Sequence, residues 1–554
     1  MNPSLTRRNL LQTGLLAAGS SSFIGQVLAQ SQQADVQAVF SHGVASGEPQ
    51  ADSVLLWTRV SVEQEKAVVE WELALDTQFR KLVQKGQLNA EADNDHCVKI
   101  TVSDLEAGQV YYYRFKCQGI HSEPGRTRTL PQGDIDNLNI AIASCSNFPF
   151  GYFNAYEVIA ADPDIQFVLH LGDYIYEYGH DGYGGTTGKV INRNHEPAHE
   201  IVSLADYRQR HAQYKADIAS RLMHAAHPLI PTWDDHESTN NPYMQGAQNH
   251  QPDEGDWSKR RDASLKAYYE WMPIREPEKG LNRKQLWRHF QFGNLASLVT
   301  LETRHTGRSI QIDYKDHLGN IKSDEDRDLF LKQVLGNPAR SMLSKNMKDF
   351  YDQSLKNNSS QWHLLGNQIP MARTHVPDIS QFLKKKNSEG YDPVADEHAQ
   401  FRRLGELDLP IYLDTWDGYP GARQAFYEQN QNLGIEDLLV LTGDSHSFWT
   451  NQLFDDSGKA MGVEIGTAGI TSPGDFEGYG PETANAMDKL VAEHNPEIVW
   501  TDCQHRGFVK LSLSKEKAQA DFISVSDILT EKYQVERIKR AVITKKGKSL
   551  TYTA

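Results

Sequence analysis

From residue 137 onward the chain repeats one pattern: a short unbroken apolar run, a cluster of polar residues, then a stretch with helical spacing. Runs at 137–144, 165–171, 228–233, 296–301, 361–366 and 438–442 predict strands buried on both faces. Stretches at 154–161, 204–225 and 257–272 predict helices. Strand, helix, strand is the βαβ unit, so the expected body is α/β, with a sheet whose carboxyl ends collect the polar clusters. The glycine-rich segment between Tyr176 and His199 is too irregular for an element and reads as a loop over those ends.

Before residue 131 the pattern differs. Runs at 54–60, 68–75, 96–102 and 110–117 alternate at short spacing between turn residues, which predicts an all-β unit over 36–131 of the fibronectin or immunoglobulin sandwich type. The polar stretch 131–136 is the expected linker. The α/β body is expected over 137–525, and 526–554 reads as a C-terminal extension, a basic and poorly patterned surface tail.

At 554 residues, 39% hydrophobic and 23% charged, the chain has the usage of a globular protein with more than one domain. After the N-terminus no apolar span is long enough to cross a membrane in the mature chain. A net charge of −16 argues against a nucleic-acid scaffold, and an anionic substrate would need local positive charge. Residues 1–29 read as an export signal: Arg7-Arg8 precedes a mildly apolar stretch and Val27-Leu28-Ala29 is a small-residue cleavage site, which points to the Tat machinery and a periplasmic or extracellular protein. Of four cysteines, Cys97 and Cys117 lie on neighbouring strand patterns and are candidates to pair; Cys503 reads as structural.

Three polar clusters carry chemistry. Gly172-Asp-Tyr-Ile-Tyr176 offers Asp173, able to bridge two cations, and the Tyr176 phenol. Asp234-Asp-His-Glu237 crowds three carboxylates and an imidazole, an arrangement that is costly without a cation. Gly443-Asp-Ser-His446 sets Asp444 and His446 on one side of an extended segment. Together they predict one metal site assembled from distant sequence.

These blocks resemble the metallophosphoesterases, including the purple acid phosphatases, and most closely the alkaline phosphatase D (PhoD) family. The family's pattern appears as Ser144-Cys-Ser146, His170-Leu-Gly-Asp-Tyr-Ile-Tyr-Glu-Tyr178, Trp233-Asp-Asp-His-Glu-Ser-Thr-Asn-Asn241, Leu301-Glu-Thr-Arg304, Thr415-Trp-Asp-Gly-Tyr419, Thr442-Gly-Asp-Ser-His446 and Ile470-Thr-Ser-Pro473. The resemblance implies a metallophosphoesterase-like sandwich with a small N-terminal β-sandwich domain. It implies Fe(3+) on Cys145, Asp173 and Tyr176, with Asp173 bridging to Ca(2+), and Asp234, Asp235, Asn240, Asp444 and His446 as further metal ligands. Asn241 and Gln368 are also candidate calcium ligands. His236 and Arg304 would contact phosphate, and Trp416 and Tyr419 would wall the ester group. Glu302 stands where the family usually has Asp.

A thiol with a phenol suits Fe(III), whereas oxygen donors suit calcium. The expected activity is that of an exported metal-dependent phosphatase or phosphodiesterase, in which a metal-bound hydroxide attacks the phosphorus of a small phosphate ester, a phospholipid or a teichoic-type polymer. The alternatives are a phospholipase-type phosphodiesterase acting on lipid head groups, a non-catalytic surface binding protein and an exported redox protein; the last lacks any Cys-rich or haem motif.

Overall fold

The computed structural model describes residues 39–379 and 396–553, so the expected export signal lies outside the described residues. Two large sheets dominate. The first has ten strands, in the order Ser549–Thr553, Val535–Lys546, Lys517–Val525, Arg506–Ser514, Asn137–Ala143, Phe167–His170, Leu229–Pro231, Val44–Gly47, Val54–Arg59, Cys97–Val102. The second has seven, in the order Arg288–Phe292, Ala296–Thr300, Trp362–Gly366, Leu438–Thr442, Ala460–Gly466, Phe448–Phe454, Ile498–Asp502.

The apolar runs are continuous because their strands are buried on both faces. Ile140, Ile142 and Leu169 of the first sheet meet Leu298, Leu364, Leu439 and Ile465 of the second in one core. The opposite face of the first sheet, with Ala141, Ala143 and Val168, packs on helices Asn154–Ala161, Ile218–Ala226 and Trp257–Trp271 through Tyr156, Met223 and Tyr268. The opposite face of the second, with Val299, Leu365 and Val440, packs on Lys345–Leu355, Pro420–Asn432 and Pro481–His494 through Tyr351, Phe426 and Met487. The layers therefore run helix, sheet, sheet, helix. No helix among the described residues is long and apolar enough to cross a membrane.

Several elements differ from the sequence expectation. The helix predicted over 204–225 is broken into Leu204–Ala216 and Ile218–Ala226, because Asp217 adopts extended backbone and its carboxylate accepts from the amides of Ala219 and Ser220. The glycine-rich segment contains a short helix, Gly185–Ile191. The basic C-terminal stretch is no loose tail: Val535–Lys546 pairs with Lys517–Val525 and Ser549–Thr553, and Ala541, Ile543 and Leu550 enter the core between the sheets. Its pattern is hidden by cations on the solvent face such as Arg540, which pairs with Asp521 at 2.5 Å.

The N-terminal strands divide between two sheets. Val44–Gly47, Val54–Arg59 and Cys97–Val102 continue the ten-stranded sheet, Gly47 lying opposite Leu229, so that Leu229–Pro231 has no open edge. Lys66–Ala74, Leu82–Glu91, Val110–Cys117, Ile120–His121 and Gly125–Arg128 form a separate five-stranded sheet, and both share a core around Leu56, Val69, Tyr111 and Phe115. Cys97 and Cys117 fall on different sheets, and all four cysteines are free thiols.

Candidate metal centre

Asn137–Ala143, Phe167–His170 and Leu229–Pro231 run parallel, as do Ala296–Thr300, Trp362–Gly366, Leu438–Thr442 and Ala460–Gly466. Their carboxyl ends interlock. Cys145 N–H donates to Gly172 O (3.1 Å), Ile470 N–H to Ser144 O (3.0 Å) and Gly443 N–H to Gln368 O (2.9 Å). Two glycines make this approach possible. A Cβ on Gly172, at φ +104°, would stand 2.2 Å from Asp234 N, and one on Gly443 would stand 2.7 Å from Ser144 Oγ. Beyond the strands the backbone turns left-handed at non-glycine positions: immediately after them at Cys145 (φ +58°), Asp173 (+54°), Asp444 (+64°) and His446 (+58°), and ten residues on at Asn241 (+53°). Such residues cost of order 1–3 kcal/mol each and cluster at functional sites.

One end of the centre is built from soft and aromatic donors. Cys145, Asp173 and His446 present ligand atoms within 4.8 Å of one another. His446 Nδ1–H donates to Pro473 O (2.9 Å), which leaves the Nε2 lone pair facing inward, and burial lowers its pKa to about 3, so the ring is neutral and able to bind a cation. The Tyr176 hydroxyl lies 3.0 Å from Asp173 Oδ2, 2.7 Å from Ser472 Oγ and 3.4 Å from His446 Nε2. Burial, reinforced by Asp173, pushes both the Cys145 thiol and the Tyr176 phenol up; a bound cation reverses that preference and favours thiolate and phenolate.

The other end is carboxylate-rich. Asp173, Asp234, Asp235 and Asp444 form a second group within the same 4.8 Å limit, and Asp173, Asp235 and His236 a third, so Asp173 belongs to all three. Burial pushes Asp173, Asp234 and Asp444 up, and neighbouring carboxylates add to this. Asp235 behaves otherwise: burial opposes its charge, but His236 and Arg304 hold it below the ordinary range. Asp234 Oδ2 and Asp235 Oδ1 are buried without any hydrogen-bond partner, which is where a cation would fit. Arg304, fully buried, sits among them: Nε is 2.6 Å from Asp234, Nη2 is 3.3 Å from Asp444 and 3.9 Å from Asp235, and Nη1 is 3.4 Å from Asp414.

A supporting layer aims these groups. His236 Nδ1 bonds Glu177 Oε2 at 2.7 Å and its ring stacks on Tyr176 at 4.2 Å, so Nε2 faces the carboxylates. Burial disfavours the imidazolium, yet Asp235, Glu177 and Asp173 together raise it well above the ordinary histidine range. Glu237 is not a ligand but a clamp: it accepts from the amides of Asp173 (3.0 Å), Tyr174 (2.7 Å) and Asp234 (2.8 Å), and burial carries its pKa up to about 8 against those donors. Glu302 accepts from the amides of Arg304, His305 and Thr306, so despite its extra methylene it fixes the turn that presents Arg304.

The structure thus brings together Cys145, Asp173, Tyr176, Asp234, Asp235, His236, Arg304, Asp444 and His446, and sets other candidates aside. Asn240 turns its amide outward to Gln248 (2.7 Å), its own N–H bonding Glu177; Asn241 faces the site instead, its Oδ1 3.4 Å from Arg304. Trp416 and Tyr419 are fully buried in the helix-side core and present no ring face to a substrate. Gln368 spends its amide on Thr232, Leu301 and Thr303. Glu177, Asp414 and Ser472 also reach the centre, each in or beside one of these sequence blocks; for Glu177 the signal is a carboxylate one residue after Tyr176. A cleft of about 880 Å³ lined by Phe148, Arg193 and Gln213 shares none of the ionisable residues of this centre.

Residues 140–522 match the PhoD-like phosphatase family and residues 26–131 its N-terminal domain. Alkaline phosphatase D of Bacillus subtilis (strain 168) is 35% identical over 551 residues, spanning 94% of this chain and 84% of that protein. A solved structure described as "Structure of PhoD" superposes with a TM-score of 0.77 at 32% identity, covering 93% of this chain and 92% of that one. With a strand-end cluster able to hold metal ions and matches that span both the sandwich and the N-terminal strands, this chain belongs to the PhoD-like phosphatase family and is a phosphatase.

Proposed function

We propose that the chain is an exported metal-dependent enzyme that hydrolyses phosphomonoesters and diesters at a mixed centre, built on a metallophosphoesterase-type sandwich. Fe(III) would be held by Cys145, Asp173, Tyr176 and His446, and calcium by Asp173, Asp234, Asp235 and Asp444. The observation that carries this reading is the position of Asp173, shared between a thiol–imidazole group on one side and a carboxylate group on the other. Bound ions would supply positive charge for phosphoryl oxygens and acidify water near neutral pH.

The chain's own residues do the positioning. Glu177 fixes Nδ1 of His236, so Nε2 holds a proton toward a phosphoryl oxygen. Arg304 is anchored through Nε by the short contact to Asp234, while its Nη edge makes only contacts of 3.3–3.9 Å and is the edge left to receive phosphate. No side chain is needed as a covalent nucleophile, since the Cys145 thiol is buried among metal ligands.

The test is purification with metal analysis, visible absorbance, and turnover of p-nitrophenyl phosphate and bis(p-nitrophenyl) phosphate with and without a calcium chelator. Asp173→Asn should lose colour and turnover while keeping its melting transition; full activity in that variant would sink the site. Export rests on Arg7-Arg8 and the apolar stretch behind them. Replacing both arginines with lysine should leave the protein in the cytoplasm, and unchanged export would refute the Tat route.

A further inference from the structure

The aromatic wall expected from Trp416 and Tyr419 exists elsewhere. Tyr183, at the tip of the glycine-rich segment, is 37% exposed, while Tyr176 beneath it is fully buried. Its ring lies 4.7 Å from Phe150, 5.9 Å from Tyr178 and 6.3 Å from Tyr176, and Tyr176 in turn stacks on His236 at 4.2 Å. A series of touching rings therefore runs from the half-exposed Tyr183 through Tyr176 to His236.

The glycines beside it let the tip pack closely on Tyr178 and His180, and backbone hydrogen bonds hold it there. A Cβ on Gly182 would stand 2.8 Å from the Tyr178 side chain and one on Gly185 would stand 2.0 Å from His180 O, while Gly184 takes φ +89°. Gly182 N–H bonds Gly179 O (3.1 Å), Gly185 N–H bonds Gly182 O (2.9 Å) and His180 N–H bonds Ala198 O (2.8 Å). The ring is presented at low entropic cost, as a recognition aromatic should be.

We propose that Tyr183 is a specificity-determining residue for the alcohol side of the ester, its ring face receiving planar aromatic or nucleoside-like groups in preference to aliphatic ones. This rests on the phosphatase site above. Stacking of this kind changes affinity about five- to tenfold, lost when the ring is removed and kept when only the hydroxyl is.

Two measurements on the metal-loaded full chain test it: calorimetric binding of phenylphosphonate against methylphosphonate, and kcat/KM for phenyl phosphate against glycerol phosphate. In Tyr183→Ala both aryl-to-alkyl ratios should fall about fivefold or more, and in Tyr183→Phe both should stay within about twofold of wild type. Parallel loss on both ligands would mark a structural role and overturn the proposal, as would unchanged ratios in Tyr183→Ala or a loss in Tyr183→Phe equal to it. If wild type hydrolyses neither ester the functional reading fails, while the phosphonate ratio still decides the role of Tyr183.

Discussion

Glu177→Gln isolates the supporting layer from the ligands. The carboxylate is fully buried; Oε1 accepts from Asn240 N (2.8 Å), Asn249 Nδ2 (2.9 Å) and Thr239 Oγ1 (3.2 Å), and Oε2 meets His236 Nδ1 at 2.7 Å. Three donors pin the glutamine oxygen at the Oε1 position, so its NH₂ faces Nδ1, which must then accept. His236 sheds the Nδ1 proton and turns from imidazolium to neutral imidazole while keeping Nε2–H. A charge-assisted bond is exchanged for a neutral one, a difference of about 1–2 kcal/mol or roughly 5–30-fold in kcat/KM. The assay is kcat/KM on a phosphomonoester, with melting temperature and metal content measured in parallel; metals and fold should be retained. Loss of an anionic partner lowers the imidazolium pKa, so the alkaline limb of the pH profile should move to lower pH. In the double variant with His236→Asn, the glutamine should add nothing further. A change under about twofold, or a loss that follows metal content, would refute the assignment of Glu177 to His236.

Removing the phenol by Tyr176→Phe should remove the phenolate-to-iron charge-transfer band, leaving only thiolate absorbance and a carboxylate half that still binds calcium; a visible spectrum unchanged from wild type would refute a ferric tyrosinate at this position. Gly172→Ala, which drives a Cβ to within 2.2 Å of Asp234 N at positive φ, should destabilise by more than about 2 kcal/mol and abolish turnover, whereas exposed Gly421→Ala, with open space around it in a helix, should stabilise by about 0.5–1 kcal/mol; denaturant melts that rank the two otherwise would contradict the packing. His211 is fully buried with both ring nitrogens unpartnered, and burial takes its pKa to about 3, below its unfolded value of about 6.5. Stability tied to it is present above pH 6.5 and lost as pH falls toward 3, about 2 kcal/mol by pH 5, so His211→Phe should flatten the acid limb of the stability profile by that amount; an unaltered limb would exclude it.

The strand-end arithmetic of the sequence carried far because two physical rules coincide there. Strands buried on both faces read as apolar runs, and parallel strands deliver their next residues to one edge, so Asp173, Asp234 and Asp444 are legible from position, whereas Cys145 and Arg304 are reached only through the family resemblance. What failed was direction. Asn240 and Asn241 are adjacent, and only the left-handed turn at Asn241 decides which one looks inward. Trp416 and Tyr419 stand in a site-like block, but a 3₁₀ turn capped by Thr415 buries both rings under the helix Pro420–Asn432. The C-terminal strands were missed because their cations line the solvent face of an edge, where alternation carries charge rather than small polar residues.

The same backbone geometry ties catalysis to stability. Asp173, Asp234 and Asp235 are buried, with Asp444 half-buried beside them, against one guanidinium and one imidazolium, and two of the carboxylate oxygens have no hydrogen-bond partner. An arrangement so short of positive charge is disfavoured in the low-dielectric interior, and the left-handed turns that create it add strain rather than relieve it. Glu237, Glu302 and Arg210 hold it from behind largely through backbone: Glu237 clamps the amides at Asp173 and Asp234, Glu302 those around Arg304 together with the Trp233 indole N–H and the Thr306 hydroxyl, and Arg210 the carbonyls of Tyr176, Glu196 and Pro197. The fold therefore keeps these side chains preorganised through main-chain hydrogen bonds and leaves their charges unsatisfied, as the proposed binding of cations and phosphate requires.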